Sequence, residues 1–107
     1  MTTSLKAAVL VALVLLGDWA CAQSPDANTR TARYVAANCA NCHGTSGISE
    51  GATPSIAGRP KTVIVEQMKA FRDGKRPATV MHQLAKGYTE QQFELIADHF
   101  SRQTPAR

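Results

Sequence analysis

The chain has 107 residues, a length that supports one small domain and excludes a multidomain protein. Its 12 basic and 8 acidic residues give a net charge of +4, which is too weakly clustered to indicate a nucleic-acid-binding protein. A mildly basic surface of this kind can still attract an acidic partner.

Residues 1–22 have the features of a signal peptide. Lys6 supplies a positive charge, and Ala7–Leu16 is an apolar run of suitable length that is too short to span a bilayer. Ala20-Cys21-Ala22 then offers a cleavage site of the A-x-A type. We therefore predict that cleavage after Ala22 releases a periplasmic protein without a stable membrane anchor.

Cys21 leaves one alternative open, which is lipoprotein processing at this residue. The preceding Asp18-Trp19-Ala20 lacks the small or branched apolar run that such processing favours. Cleavage after Ala22 would remove Cys21 and leave Cys39 and Cys42 as the only thiols of the mature chain.

A polar leader is predicted over residues 23–28, followed by one domain over residues 29–107. The first helix of the domain is predicted over residues 30–38, because apolar residues recur on one face. These residues are Ala32, Val35, Ala36 and Cys39. Tyr34 lies beside this face, and we expect it to pack against another helix. The helix would thus present Cys39 to the interior of the domain.

The helix leads into Cys39-Ala40-Asn41-Cys42-His43, a C-x-x-C-H motif. This spacing is the covalent attachment signature of a c-type haem. The two thiols can add to the two vinyl groups on one edge of a porphyrin, and the adjacent imidazole can bind the iron. We predict one haem c, bonded to Cys39 and Cys42, with His43 as the proximal iron ligand. Such haem is attached outside the cytoplasm, which agrees with the predicted signal peptide.

The same cysteine pair has three other interpretations: a disulfide, a redox-active dithiol, and half of a zinc site. A thioredoxin-like dithiol needs a βαβ context, and no strand pattern precedes Cys39. A zinc site has four ligands, which would here have to be Cys39 and Cys42 together with His82 and His99. These histidines are much farther apart than is usual for zinc-binding pairs. Haem is therefore the preferred interpretation.

Glycine and proline residues interrupt regular structure from Gly44 to Gly58. We expect this segment to wrap around the haem, although simple surface turns remain an alternative as far as Gly51. A backbone carbonyl near Pro54 is expected to accept a hydrogen bond from the ring N–H of His43. Such a bond would fix the tautomer of the ligand and strengthen it.

A middle helix is predicted over residues 61–73, and a short apolar segment that ends at Met81 follows it. The helix stripe consists of Ile64, Met68 and Phe71. Met68 is expected to be a core residue, whereas Met81, in a loop after a proline-stiffened turn, can reach the distal side of a haem. We predict Met81 as the distal iron ligand. His82 is the alternative, and only one of these two neighbours can face the iron.

The last helix is predicted to begin at Thr89, where Thr89-x-x-Gln92 forms a capping-box pattern. Its apolar face should pack on the first helix, because each stripe alone is too small to be stable. This face consists of Phe93, Ile96, Ala97 and Phe100. The predicted fold is therefore all-α, with three to five helices around one haem.

These parts in this order resemble a class I cytochrome c domain over nearly all of residues 29–107. The resemblance implies an electron-transfer protein with Cys39 and Cys42 as haem anchors. Many family members carry a glycine and an aromatic residue where this chain has Thr31 and Val35. Because Tyr34 is shifted by one position, the contact between the first and last helices is expected to be looser or differently directed.

A narrower resemblance is to the cytochrome subunit of flavocytochrome c sulfide dehydrogenase. It rests on the stretches NCANCHGTSG, TPSIA, MKAFRDGKRPATVM and AKGYT. In that family a small haem protein docks on an FAD-bearing flavoprotein that oxidises sulfide, and passes electrons from the flavin to another carrier. The resemblance implies these two partners. The single C-x-x-C-H matches the mono-haem type.

Two other functions remain open at this point. A free-standing soluble electron carrier would keep the same haem-binding residues. If Met81 is not bound, an open iron would instead bind a diatomic gas or peroxide. With both axial positions filled, the chain would have no catalytic site of its own, and sulfide oxidation would belong to the partner.

Overall fold

The computed structural model describes residues 25–107, and all regular structure within that range is helical. Its α-helices are α1 (Pro25–Ala36), α2 (Ala40–His43), α3 (Lys61–Arg72), α4 (Met81–Leu84) and α5 (Glu90–Ser101). Single turns of 3₁₀-helix follow α1 and α4, over Ala37–Cys39 and Ala85–Gly87. This confirms the all-α fold with three to five helices. No helix in the described range is long and apolar enough to cross a membrane.

The first helix begins earlier than the sequence predicted. Pro25–Asn28, assigned to a polar leader, belongs to α1. A proline suits the first turn of a helix because its φ is already near the helical value and its missing N–H would have had no partner. The predicted signal peptide and Cys21 lie outside the described residues and stay predictions.

The core forms where α5 packs against both α1 and α3. Its buried members are Ala36, Ile64, Val65, Met68, Ala85, Phe93, Ile96, Ala97 and Phe100. The predicted stripe of α5 is therefore buried in full. On α1 the buried face is narrower, since Ala32 and Ala36 are buried but Val35 is only half-buried.

The expectation for Tyr34 is wrong, because this side chain is 87% exposed. Ala32 and Ala36 form the face of α1 that meets α5, and small side chains let two helix backbones approach closely. Tyr34 lies about 160° around the helix from Ala36 at 100° per residue. On the α1 side, the contact with α5 is accordingly made by alanines rather than by Tyr34.

The start of α5 is fixed by the predicted capping box. Thr89 Oγ1 accepts a hydrogen bond from the Gln92 backbone N–H at 3.2 Å, and Gln92 Oε1 accepts one from the Thr89 N–H at 2.9 Å. Two backbone donors that an α-helix leaves unpaired are thereby satisfied. The capping box therefore fixes the residue at which α5 begins.

Ion pairs hold α3 beside α5. Glu90 accepts from Lys69 at 3.4 Å and from Arg72 at 3.3 Å, and Lys61 pairs with Glu94 at 3.1 Å. The hydrogen bonds from Lys69 and Arg72 lower the pKa of the Glu90 carboxyl. The pairs are exposed, so they orient the two helices more than they stabilise them.

Candidate functional site

One apolar cavity lies between the end of α1, helix α3 and the segment around α4. Its volume is about 120 Å³, and it opens to solvent on one side. Cys39, Cys42 and His43 line one side of it, and Met81 lies in the same lining. The remaining lining residues are Asn38, Ile56, Ile64, Gln67, Met68, Phe71, Val80, Leu84, Tyr88 and Ile96. An open, mainly apolar cavity that gathers thiol, imidazole and thioether groups has the donor chemistry that an iron-porphyrin requires.

The cysteine pair is presented by the tight turns that follow α1. Cys39 ends the 3₁₀ turn and is half-buried, while Cys42 lies in α2 and is exposed. Both thiols are free, so this structure contains no disulfide between them. Burial raises the pKa of the Cys39 thiol, with a smaller contribution from its neighbour Cys42. Cys39 is therefore kept as a neutral thiol in the cavity wall.

His43 is buried, with only 9% of its surface exposed. Its Nδ1 lies 2.7 Å from the Pro54 carbonyl oxygen. A carbonyl can only accept a hydrogen bond, so Nδ1 carries the proton and donates it. The other ring nitrogen, Nε2, is then unprotonated and has a lone pair for a metal ion. The expected contact between His43 and a carbonyl near Pro54 is thus present.

The loop from Gly44 to Gly58 is fastened to the protein core. The Gly47 carbonyl accepts hydrogen bonds from the N–H groups of Ile56 at 2.7 Å and Ala57 at 3.0 Å. Gly58 donates to the Phe100 carbonyl at 2.9 Å, at the end of α5. Gly47 is buried against the Phe100 ring. Between Gly44 and Gly51 only Gly47 is buried, so this half of the loop consists of surface turns, as the alternative predicted, and Ile56 is the loop residue that lines the cavity.

Met81 occupies a helix rather than the loop that the sequence predicted, because it is the first residue of α4. It is half-buried and lines the cavity, whereas the adjacent His82 does not. His82 Nδ1 is buried without a hydrogen-bond partner in the described structure. Met68 also lines the cavity, from the buried face of α3. Two thioethers thus share the cavity with His43.

The four proposed zinc ligands are not brought together. His99 lies on α5, where its ring packs edge-on against Phe100 with centroids 4.9 Å apart. It lines a separate groove between α1 and α5. Burial, and then the charge of Arg33, lower the pKa of His99. Among residues 25–107 no three histidine, cysteine or acidic side chains are grouped to hold a metal ion.

Several cavity residues, among them Leu84, were not predicted from the sequence, whereas Val80 belongs to the short apolar segment that was expected to reach the distal side of a haem. Val80 and Leu84 lie at its mouth and are 54% and 51% exposed. Val80 is the residue before α4 and Leu84 is the last residue of that helix, and so short an apolar pair is a weak signal in the sequence. Tyr88 and Asn38 line the cavity from two short connecting segments. In such segments the sequence spacing does not predict which side chains face the interior.

Comparisons with known proteins agree with this geometry. The sequence profile of the family described as "Cytochrome c" matches residues 29–101. The chain is 44% identical over 63 residues to the cytochrome subunit of sulfide dehydrogenase of Chlorobaculum tepidum, which covers 59% of this chain and 57% of that protein. It is 34% identical over 73 residues to the thiosulfate dehydrogenase electron acceptor of Thiomonas intermedia, covering 66% of this chain and 34% of that protein.

A further relative is cytochrome c-554(548) of Halomonas halodenitrificans, which is 34% identical over 71 residues. That match covers 61% of this chain and 83% of the relative. In contrast, the chain spans little more than half, or less, of the first three curated relatives.

Proposed function

The chain belongs to the cytochrome c family, whose members carry electrons on covalently bound haem c, and on that premise we propose how its own residues hold that group. Cys39 and Cys42 are its thioether anchors, and His43 and Met81 are its axial ligands. The observation that carries the proposal is the meeting of these four side chains in one apolar cavity. One C-x-x-C-H motif provides for one haem.

Cys39 and Cys42 would hold the group through their sulfur atoms. Each S–H would add across the C=C bond of one vinyl group, giving one C–S and one C–H bond for the S–H bond and the π bond consumed. No electrons leave the system, and no oxidant is required. Both cysteines line the same cavity, as this addition would require.

The haem supplies a one-electron couple when bound, and the protein sets its properties. The bond from His43 to Pro54 fixes the imidazole tautomer and its orientation. Met81 contributes a neutral thioether, and Met/His ligation raises the reduction potential of haem iron. The apolar lining from α3 keeps water away from the iron and disfavours its more highly charged ferric state. If His43 and Met81 both bound the iron, no position would remain there for a substrate.

The proposed physiological role is that of the haem subunit of a sulfide dehydrogenase, working in the periplasm. The 44% identity to such a subunit supports this role. Its electron donor would be an FAD-bearing flavoprotein, and its acceptor another redox protein. A free electron carrier is the second candidate, which the relative named as a thiosulfate dehydrogenase electron acceptor favours.

The mouth of the cavity supports docking of an acidic partner. Residues 74–88 contain three basic residues and no acidic residue. Val80 and Leu84 in this segment are more than half exposed at the mouth. Exposed apolar side chains in a basic segment favour a partner surface with an apolar centre and an acidic rim. Electron exchange should therefore slow as ionic strength rises.

Purification from the periplasm of the native host tests the role. If the protein is a subunit, it will co-purify with a flavoprotein, and FAD will be found in the same fraction. A mono-haem protein that runs alone and without flavin would contradict the subunit role and favour the free carrier. An optical spectrum tests the site itself, since ferric haem with a methionine ligand shows a weak near-infrared sulfur band.

A further inference from the structure

The carbonyl that meets His43 belongs to a segment fastened by its neighbour Ser55. Ser55 Oγ accepts a hydrogen bond from the Ser49 backbone N–H at 2.9 Å. The Ser55 carbonyl accepts one from Nε of Arg59, also at 2.9 Å. Pro54 C=O and Ser55 N–H belong to the same peptide plane. Restraining Ser55 on both sides therefore restrains the direction in which the Pro54 carbonyl points.

Arg59 is the charged member of this arrangement. It is half-buried, and within residues 25–107 it pairs with no carboxylate. Its Nε–H bond to a carbonyl is charge-assisted, a class about twice as strong as bonds between neutral groups. Arg59 is therefore placed to restrain the Ser55 carbonyl through this hydrogen bond.

We propose that Arg59 is a positioning residue for the proximal ligand. It holds the Ser55 carbonyl, thereby fixes the Pro54 carbonyl against His43, and so sets the electron richness of the imidazole. This inference rests on the proposed function, in which His43 binds the haem iron.

The sign of the effect on reduction potential distinguishes this role from a simple charge effect. A firm Nδ1–H···O=C bond makes the imidazole a stronger donor, which stabilises ferric iron and lowers the potential. Loosening the Pro54 carbonyl should therefore raise the potential. Loss of a positive charge near the iron acts in the opposite direction, because a cation disfavours the ferric state.

The test uses the full haem-loaded chain and two variants that do not alter the charge near the iron. Arg59→Lys keeps the charge but lacks the planar Nε–H donor, and Ser55→Ala removes the acceptor for Ser49. Both should raise the reduction potential. Both should also speed hydrogen exchange at His43 Nδ1, followed by NMR of the reduced protein, on the order of fivefold, the equivalent of one typical hydrogen bond.

Control variants separate positioning from stability. Arg102→Lys alters an exposed arginine that bonds to Asp98 on α5 and should leave both readouts unchanged. Ser55→Thr retains the hydroxyl and should restore the parent values. If Ser55→Ala does not fold, the comparison of Arg59→Lys with Arg102→Lys still decides the question.

Three results would overturn the positioning role. The first is unchanged potential and exchange in Arg59→Lys, even if the variant is less stable. The second is a lower potential in Arg59→Gln together with a parent value in Arg59→Lys, which would indicate a charge effect. The third is a parent protein whose haem is not bound by His43, which would overturn the proposed function as well. Only this last result is visible without any variant.

Discussion

Replacement of Gly47 by alanine should destabilise the loop that carries the His43 hydrogen-bond partner. Gly47 has a φ of +77°, a conformation that costs other residues ~1–2 kcal/mol. An added Cβ would lie 2.7 Å from the Phe100 ring and 3.0 Å from the Ala57 nitrogen. Overpacking of a core by a methyl group costs ~1–3 kcal/mol. The two effects together predict a loss of ~2–5 kcal/mol in the free energy of unfolding.

Two other glycines provide matched controls for this measurement by denaturant titration of the haem-loaded protein. Gly74 has a φ of +69° but no atom within 4 Å of the added Cβ, so Gly74→Ala should lose ~1–2 kcal/mol. Gly51 has neither feature, and Gly51→Ala should be neutral or stabilising by up to ~1 kcal/mol. The reasoning is refuted if Gly47→Ala is as stable as Gly74→Ala.

Met81→Ala should remove the near-infrared sulfur band and increase the carbon monoxide affinity of the reduced protein. Met68→Leu is the control and should change neither. Loss of the band in Met68→Leu, with the band retained in Met81→Ala, would identify Met68 as the ligand. Thr89→Ala should lower the free energy of unfolding by ~1 kcal/mol through loss of the α5 cap. An unchanged midpoint of denaturant-induced unfolding would contradict a stabilising cap. The Glu90 pKa is lowered from the usual 4.5 by two cations of α3. Its contribution to stability is therefore present above about pH 4.5 and lost as pH falls through the lowered pKa. Glu90→Gln should reduce the dependence of the free energy of unfolding on pH in this range. Glu66 makes no ion pair in the described range, so Glu66→Gln should leave that dependence unchanged.

Local chemical rules made part of the fold predictable. The capping box at Thr89 and the stripe of α5 follow from spacing alone, and the structure contains both. The hydrogen bond from His43 to Pro54 was also predictable, because a ligand imidazole needs an acceptor and a proline-containing loop follows the motif. In each of these cases the sequence pattern names the residue and its partner.

Other features depend on tertiary contacts that spacing does not encode. Tyr34 is solvent-exposed because the alanines of α1 already fill the contact with α5. The helical state of Pro25–Asn28 is concealed by its polar composition, since only one face of α1 is buried. The bond from Arg59 to Ser55 spans four residues in a loop, where helical periodicity does not apply. Leu84 borders the cavity because α4 is placed beside α3.

The docking of Gly47 and Gly58 on Phe100 has a consequence for the order of events during biosynthesis. Phe100 lies far downstream of His43, so the loop cannot adopt its final conformation until α5 has been synthesised and has folded. Until then the hydrogen bond from Gly58 to Phe100 and the packing of Gly47 on the Phe100 ring cannot form. If Cys39 and Cys42 hold the haem as proposed, their attachment to it would be least hindered before α5 docks on this loop.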